Sequence, residues 1–263
     1  MSFNLKKTIK YRLLFSLLLP LFTHSLLAVD IRNIYDAVDI AGKQRMFTQR
    51  MLKDYAMVGM KNSFGNADED LNNTISEFDD HLHALHDYTK NSEIKKSIQQ
   101  VEEIWLPIKK VLEAPSSKNE VLKLQENLEL LLSATNNTTE LFAKETGKES
   151  GKVVDISGRQ RMLSQRMASL YMLKVWGVDD DKFKEKMKNS MQLFKSSLEE
   201  LKKSEFNTDE INKLLTKVER SFMFFEVMNK SSNVFIPSLI YKKSNDILKN
   251  MNKITQCYVD ECK

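Results

Sequence analysis

"SGRQRMLSQRM", residues 157–167, has a looser twin earlier in the chain, "AGKQRMFTQRM", residues 41–51. Shifting the sequence by 116 residues superimposes the two phrases. Asp39, Ile40, Gly42, Gln44, Arg45, Met46, Gln49, Arg50, Met51 and Tyr55 recur as Asp155, Ile156, Gly158, Gln160, Arg161, Met162, Gln165, Arg166, Met167 and Tyr171. The match runs on through Phe78, Leu82 and Leu85 against Phe194, Leu198 and Leu201. With one further residue of shift, Trp105 falls opposite Phe222. A repeat of this length is a duplicated domain rather than a motif.

Each copy reads as four helices. They lie near 31–61, 68–89, 92–113 and 119–146, then near 152–177, 180–204, 208–230 and 235–258. Apolar residues recur at helical spacing, as in Leu71, Ile75, Phe78, Leu82 and Leu85. Capping and breaking stretches such as "NSFGNAD", "APSSKNE" and "WGVDDD" separate the helices. Only 7 Gly and 4 Pro across 263 residues argue against an all-β chain, which needs many turns. Short joints imply antiparallel neighbours, so the expected fold is all-α: two tandem antiparallel four-helix bundles. Pro107 is expected to kink or shorten the third helix. The middle joint, "ETGKESGK", leaves open whether the fourth and fifth helices form one rod.

The first 28 residues read differently. Lys6, Lys7, Lys10 and Arg12 precede the apolar "LLFSLLLPLF", and "SLLA" offers small residues for cleavage after Ala28. The expected organisation is a signal peptide at 1–28, a first domain at 29–147 and a second at 148–263. The alternative is an uncleaved inner-membrane anchor over residues 13–27. Either way the protein is expected at the periplasmic side. Four of the 40 basic residues and none of the 36 acidic ones lie in this leader. The remainder is balanced in charge, which removes the main support for a nucleic-acid partner.

Steps of three and four along the first motif helix join Val38, Ala41, Arg45, Thr48, Leu52 and Tyr55. The counterpart is Val154, Ser157, Arg161, Ser164, Ala168 and Tyr171. This is a helix-to-helix seam with small residues beside a central arginine. Arginine cannot shed its proton, so a buried one needs a partner. Two guanidiniums about 6 Å apart repel by roughly 3 kcal/mol at an effective dielectric of 20. An anion held between them removes that cost. The alternative is ion pairing with glutamates on neighbouring helices. Lys43, Arg50, Arg159 and Arg166 fall off the seam and are expected to be solvated or capping.

At these residues the sequence resembles the PilJ-type sensor domain of type IV pilus chemoreceptors. It is also similar to the first-helix motif of nitrate/nitrite sensor kinases of the NarX type. The resemblance covers about residues 31–146 and 152–258. It implies a periplasmic four-helix bundle that senses small ligands. In the nitrate-sensing branch the arginine three positions after the glycine binds the anion between paired first helices. Here that is Arg45 after Gly42 and Arg161 after Gly158, with the glycines admitting close approach. Gln44, Gln160, Thr48 and Ser164 are candidate supporting donors for an oxyanion such as nitrate or nitrite. The relatives continue into a kinase or chemoreceptor domain. This chain is expected to act through a separate membrane partner of that kind, and a homodimer is a further candidate assembly.

Other constellations are weaker. "DDHLHALHD" puts Asp79, His83, His86 and Asp87 on one helical face, a candidate metal site set against a plain solvated face. Methionines such as Met46, Met51, Met57 and Met60 suit an irregular core better than copper. Cys257 and Cys262 read as a terminal disulfide, which requires the last turn to unwind. No phosphate loop, HExxH or GxSxG is present, and no cofactor is implied, so an enzyme is the least expected class. An adaptor that docks a partner helix on the seam is the rival to ligand sensing.

Overall fold

A computed structural model describes residues 29–147, 149–178, 180–230 and 235–261. The leader therefore lies outside the described residues, as does Cys262. Eight helices follow in order: α1 Ile34–Gly59, α2 Ala67–Tyr88, α3 Ser92–Leu112, α4 Val121–Glu145, α5 Glu149–Val175, α6 Asp181–Lys202, α7 Asp209–Lys230 and α8 Pro237–Glu261. Among the described residues there is no strand. None of these helices is long and apolar enough to cross a membrane.

Local chemistry sets several boundaries. The Asn33 side chain accepts from the backbone N–H of Tyr35 and Asp36 and starts α1, and Asn91 does the same for α3. Asp180 caps α6 through the N–H of Lys182. The joint between α4 and α5 breaks at Gly147, whose φ of +64° is a left-handed conformation suited to glycine. The two helices are thus separate, not one rod. They run antiparallel, as the pairing of Glu129 with Arg166 requires. Pro107 does not end α3, which continues to Leu112. Pro107 and Glu103, whose carbonyl loses its N–H partner, are both exposed, so water can satisfy that group.

The two tandem bundles are built alike. In the first, α1 packs on α2 and α4, and in the second, α5 packs on α6 and α8. Phe78 meets Trp105 with ring centroids 4.3 Å apart, and Phe194 meets Phe222 at 4.5 Å. Such aromatic pairs add about 0.5–1.5 kcal/mol each beyond their burial. Tyr55 accepts the backbone N–H of Ser117, and Tyr171 accepts that of Ile236, both at 2.8 Å. Each motif helix thereby pins the start of the last helix of its own bundle.

The most extensive helix contact joins the bundles: α1 lies along α5. Contacts climb both helices in step, from Asp39 with Arg161, through Lys53 with Gln165, to Gly59 with Trp176. The helices are therefore parallel and related by a pseudo-two-fold axis along their length. Every residue of the proposed seam is buried, from Val38 to Tyr55 and from Val154 to Tyr171. The second stripe, Ile40, Phe47 and Met51 with Ile156, Leu163 and Met167, is buried as well.

Candidate functional site

Halfway up the seam, Arg45 and Arg161 are fully enclosed. Their partners are the repeated aspartates just before the two phrases, each on the opposite motif helix, where the sequence alternative to an anion is glutamates of neighbouring helices. Arg45 Nη1 lies 2.7 Å from Asp155 Oδ1, and Arg161 Nη1 lies 2.7 Å from Asp39 Oδ1. Each guanidinium also donates from Nη2 to the backbone carbonyl of that aspartate, at 3.3 Å. Each Nη1 donates as well to an asparagine 91 residues on: Asn136 of α4 at 3.0 Å and Asn252 of α8 at 3.2 Å. The result is a crossed clasp. A side chain on a helix leans toward the N-terminus, so each arginine reaches an aspartate six positions earlier on its parallel neighbour.

The glycines serve the arginines rather than the helix backbones. A Cβ on Gly42 would stand 3.3 Å from Nη2 of both Arg45 and Arg161, and one on Gly158 would stand 3.3 and 3.1 Å from them. Both guanidinium ends thus occupy the space that two absent side chains leave. Lys43 and Arg159 are not simply solvated: they pair with Asp39 and Asp155 at 3.0 Å. Four cations then face two carboxylates. Burial would raise the Asp39 carboxyl, but Arg161 and Lys43 overcome it and hold the group below the ordinary carboxylate value. Burial pulls Arg45 below its ordinary value against the opposing effect of Asp155. Arginine starts high enough to stay charged even so. The Nε atoms of both arginines are buried without a hydrogen-bond partner.

The other candidate donors turn elsewhere. Gln44 and Gln160 donate to the backbone carbonyls of Phe78 and Phe194 in their own bundles. Thr48 and Ser164 donate to the carbonyls of Arg45 and Arg161 one turn below. Each hydroxyl hydrogen and one amide hydrogen of each glutamine are thus engaged away from the guanidiniums, and of the expected set the arginines and glycines face one another.

Above the clasp the two halves differ. Lys53 and Asp54 stand where the second half has Ser169 and Leu170, and both are completely buried. Lys53 Nζ donates to Gln165 of α5 and Asn245 of α8, both at 2.8 Å, and lies 4.2 Å from the ring centre of Tyr241. Burial pushes the Asp54 carboxyl up to about 6, against the pull of Lys53 and Arg50. Burial pushes Lys53 down, against the pull of Asp54. Arg50 joins the group, 3.7 Å from Asp54 and 3.1 Å from Asp70, while Arg166 takes Glu129 at 2.7 Å.

Sequence reasoning passed over Asp39, Asp155, Asn136, Asn252 and Lys53. The aspartates recur just before the phrases, and the asparagines recur at the same shift of 116, which was the available signal. Lys53 carries none, since its counterpart is a serine. The alternative metal face does not assemble. Asp79 is occupied by Trp105 Nε1 and Lys109 Nζ, both at 2.6 Å, and among the described residues no three His, Cys, Asp or Glu side chains converge. Cys257 lies within α8, which remains helical to Glu261; its expected partner, Cys262, is outside the described residues.

A family profile described as type IV pili methyl-accepting chemotaxis transducer N-term, PilJ, matches residues 32–131 and 145–221. The chain belongs to this family. Neither the characterised proteins nor the solved structures give a match. Both phrases and both arginine–aspartate pairs of the clasp fall inside the PilJ match, while Asn136 and Asn252 lie outside it. The family is that of the N-terminal sensor domains of chemotaxis transducers.

Proposed function

We propose that this protein is a periplasmic receptor module that reads a small oxyanion, nitrate or nitrite in the first instance, at the seam between α1 and α5. The observation that carries the reading is the charge count in the clasp: two enclosed guanidiniums meet end to end, and four cations share two carboxylates. The surplus is positive, and a planar anion matches the guanidinium fork. Such an anion competes with Asp39 or Asp155 for one arginine. It shifts the packing of α1 against α5 only by as much as it favours the exchanged state. Because α1 and α5 are parallel, a small axial or rotational slip of one against the other is the natural output. A membrane-bound chemoreceptor or sensor kinase would receive it. The resemblance to the NarX type supports the choice of anion, and the leader supports export.

A second reading has its own support. Both arginines are already paired and shielded from solvent, as in a static brace that holds two bundles together. Thermal unfolding of the mature protein in nitrate, nitrite, sulfate and chloride at matched ionic strength separates the two. A receptor gains stability selectively and saturably, by about 2.7 kcal/mol at a hundredfold excess over the dissociation constant. That gain must vanish in Arg161→Gln. A response that is flat across the panel leaves the brace.

A further inference from the structure

Beside the seam, where α8 crosses α1, an open cleft of about 400 Å³ is lined by Arg50, Asp70, Asn245, Leu248, Lys249 and Asn252. Its polar lining is biased toward donors. Asn245 and Asn252 each have the amide oxygen taken by an enclosed cation, Lys53 at 2.8 Å and Arg161 at 3.2 Å. What remains to each amide is its NH2 group, a donor only. Asp70 is the one carboxylate in the lining, and both its oxygens are engaged: Oδ1 with Arg50 Nη2 at 3.1 Å, and Oδ2 by the Tyr241 hydroxyl at 2.5 Å. Lys249 is exposed on the rim, one turn from each asparagine.

The pseudo-symmetric half shows what such a cleft takes. There Arg166 stands for Arg50, and α4 stands for α8. Asn136 binds its arginine as Asn252 does, and seven residues before each comes Glu129 or Asn245. Glu129 reaches across from α4 and sets its carboxylate 2.7 Å from Arg166. Asn245, at the matching place, carries no charge and is turned toward Lys53. Further along, Ser133 is matched by Lys249, a cation. Arg166 thus receives a carboxylate from the last helix of the first bundle, whereas the carboxylates beside Arg50, Asp54 and Asp70, belong to α1 and α2 and none reaches it from α8.

We propose that the cleft between α1 and α8 binds a small carboxylate, which takes beside Arg50 the place that Glu129 holds beside Arg166, with Lys249 and the amide groups of Asn245 and Asn252 as further donors. The bound carboxylate joins α1 of one bundle to α8 of the other. It sits on the two asparagines that hold Lys53 and Arg161, so it also stiffens the seam. This site shares Asn252 with the double-arginine seam but does not require an anion there.

The test is a titration of the mature protein with sodium acetate and sodium succinate against sodium chloride at equal ionic strength, read by unfolding midpoint and by calorimetry. Wild type should show saturable binding of a carboxylate that chloride does not reproduce. Asn245→Glu rebuilds the twin cleft inside the protein; it should raise the midpoint in the absence of carboxylate and weaken carboxylate binding at least tenfold. Lys249→Ala, on the exposed rim, should weaken binding severalfold with the midpoint unchanged. A response no different from that of chloride overturns the proposal, and so does undiminished binding in both variants. A nitrate response belongs to the seam if Asn245→Glu retains it, so either site can fail while the other stands.

Discussion

Removing one carboxylate from the clasp should do more damage than removing one arginine. Asp39→Ala leaves Arg161 enclosed without its ion pair, and breaking a buried pair in this way costs roughly 3–5 kcal/mol. The two guanidiniums remain end to end, with Nη2 of both within 3.3 Å of the same point beside Gly42. Arg161→Met loses the same pair, but it also abolishes the repulsion between the arginines, about 3 kcal/mol at about 6 Å and an effective dielectric of 20. Lys43 stays 3.0 Å from the orphaned Asp39. The net cost of Arg161→Met should then be roughly 0–2 kcal/mol. In a chain of this size each kcal/mol moves the midpoint by about 2–4 °C. Asp39→Ala should therefore unfold roughly 10 °C below wild type, and Arg161→Met only a few degrees below. Urea denaturation with a linear extrapolation measures both. Small anions should restore part of the loss in Asp39→Ala by filling the vacated space, and should do nothing for Arg161→Met. An arginine variant as damaged as the aspartate variant would refute the charge count on which the clasp argument rests.

Three more expectations follow from other sites. Gly59→Ala puts a Cβ about 2.2 Å from the Trp176 ring, so the ring must leave its edge contact with Tyr55; a red-shifted tryptophan emission and a loss of about 1–3 kcal/mol are expected, and an unchanged spectrum contradicts the packing. Lys53→Met strands Asp54 and leaves Gln165 and Asn245 without their donor, so urea denaturation should report a loss of about 3–5 kcal/mol; a loss below about 1 kcal/mol would mean that Lys53 is not charged in place. Burial, reinforced by Lys43, holds the His81 ring down at about 4. Its folded value lies below the ordinary one, so the unfolded chain binds the proton first as pH falls. The stability this neutral ring contributes is complete above about 6.5 and lost by about 4, a difference of about 3 kcal/mol. Asp54, raised to about 6, runs the other way: its contribution is complete below about 4 and lost as pH rises through about 6. The two largely offset each other in wild type. Denaturation of His81→Phe from pH 4 to 7 should expose the falling slope of Asp54, and a variant curve parallel to wild type would dismiss the assignment.

The helices were legible because of their apolar spacing, reinforced by side-chain caps at some joints, as at Asn33, Asn91 and Asp180. The seam was legible because a 3.5-residue stripe with small neighbours has one common use, and Val38 through Tyr55 are buried as that use requires. What faced Arg45 was not legible in full. An aspartate six residues earlier lies on a different face of the same helix, and becomes a neighbour only when a parallel copy is laid alongside. The repeat contained Asp39 and Asp155, but their role depends on a direction that sequence spacing does not encode. The bonds that Gln44 and Thr48 make within their own bundle were not legible for a related reason, since no seam count reveals them. Lys53 is harder still, since it lies outside both stripes and is covered by Tyr241 and Asn245 of α8 only in the fold.

The link between α4 and α5 has a consequence for how such a paired fold can change. Two halves on one chain cannot separate on dilution, so the seam exists at any protein concentration and dissociation is unavailable as a signal. In a pair of identical subunits every substitution arrives twice, and a buried lysine at position 53 would need a second set of partners like Gln165, Asn245 and Tyr241. Duplication within one chain releases the second position. One side keeps a serine while the other gains a cation, one cleft keeps its glutamate while the other gives it up. Asymmetry that a dimer could not reach by single mutations becomes accessible one residue at a time.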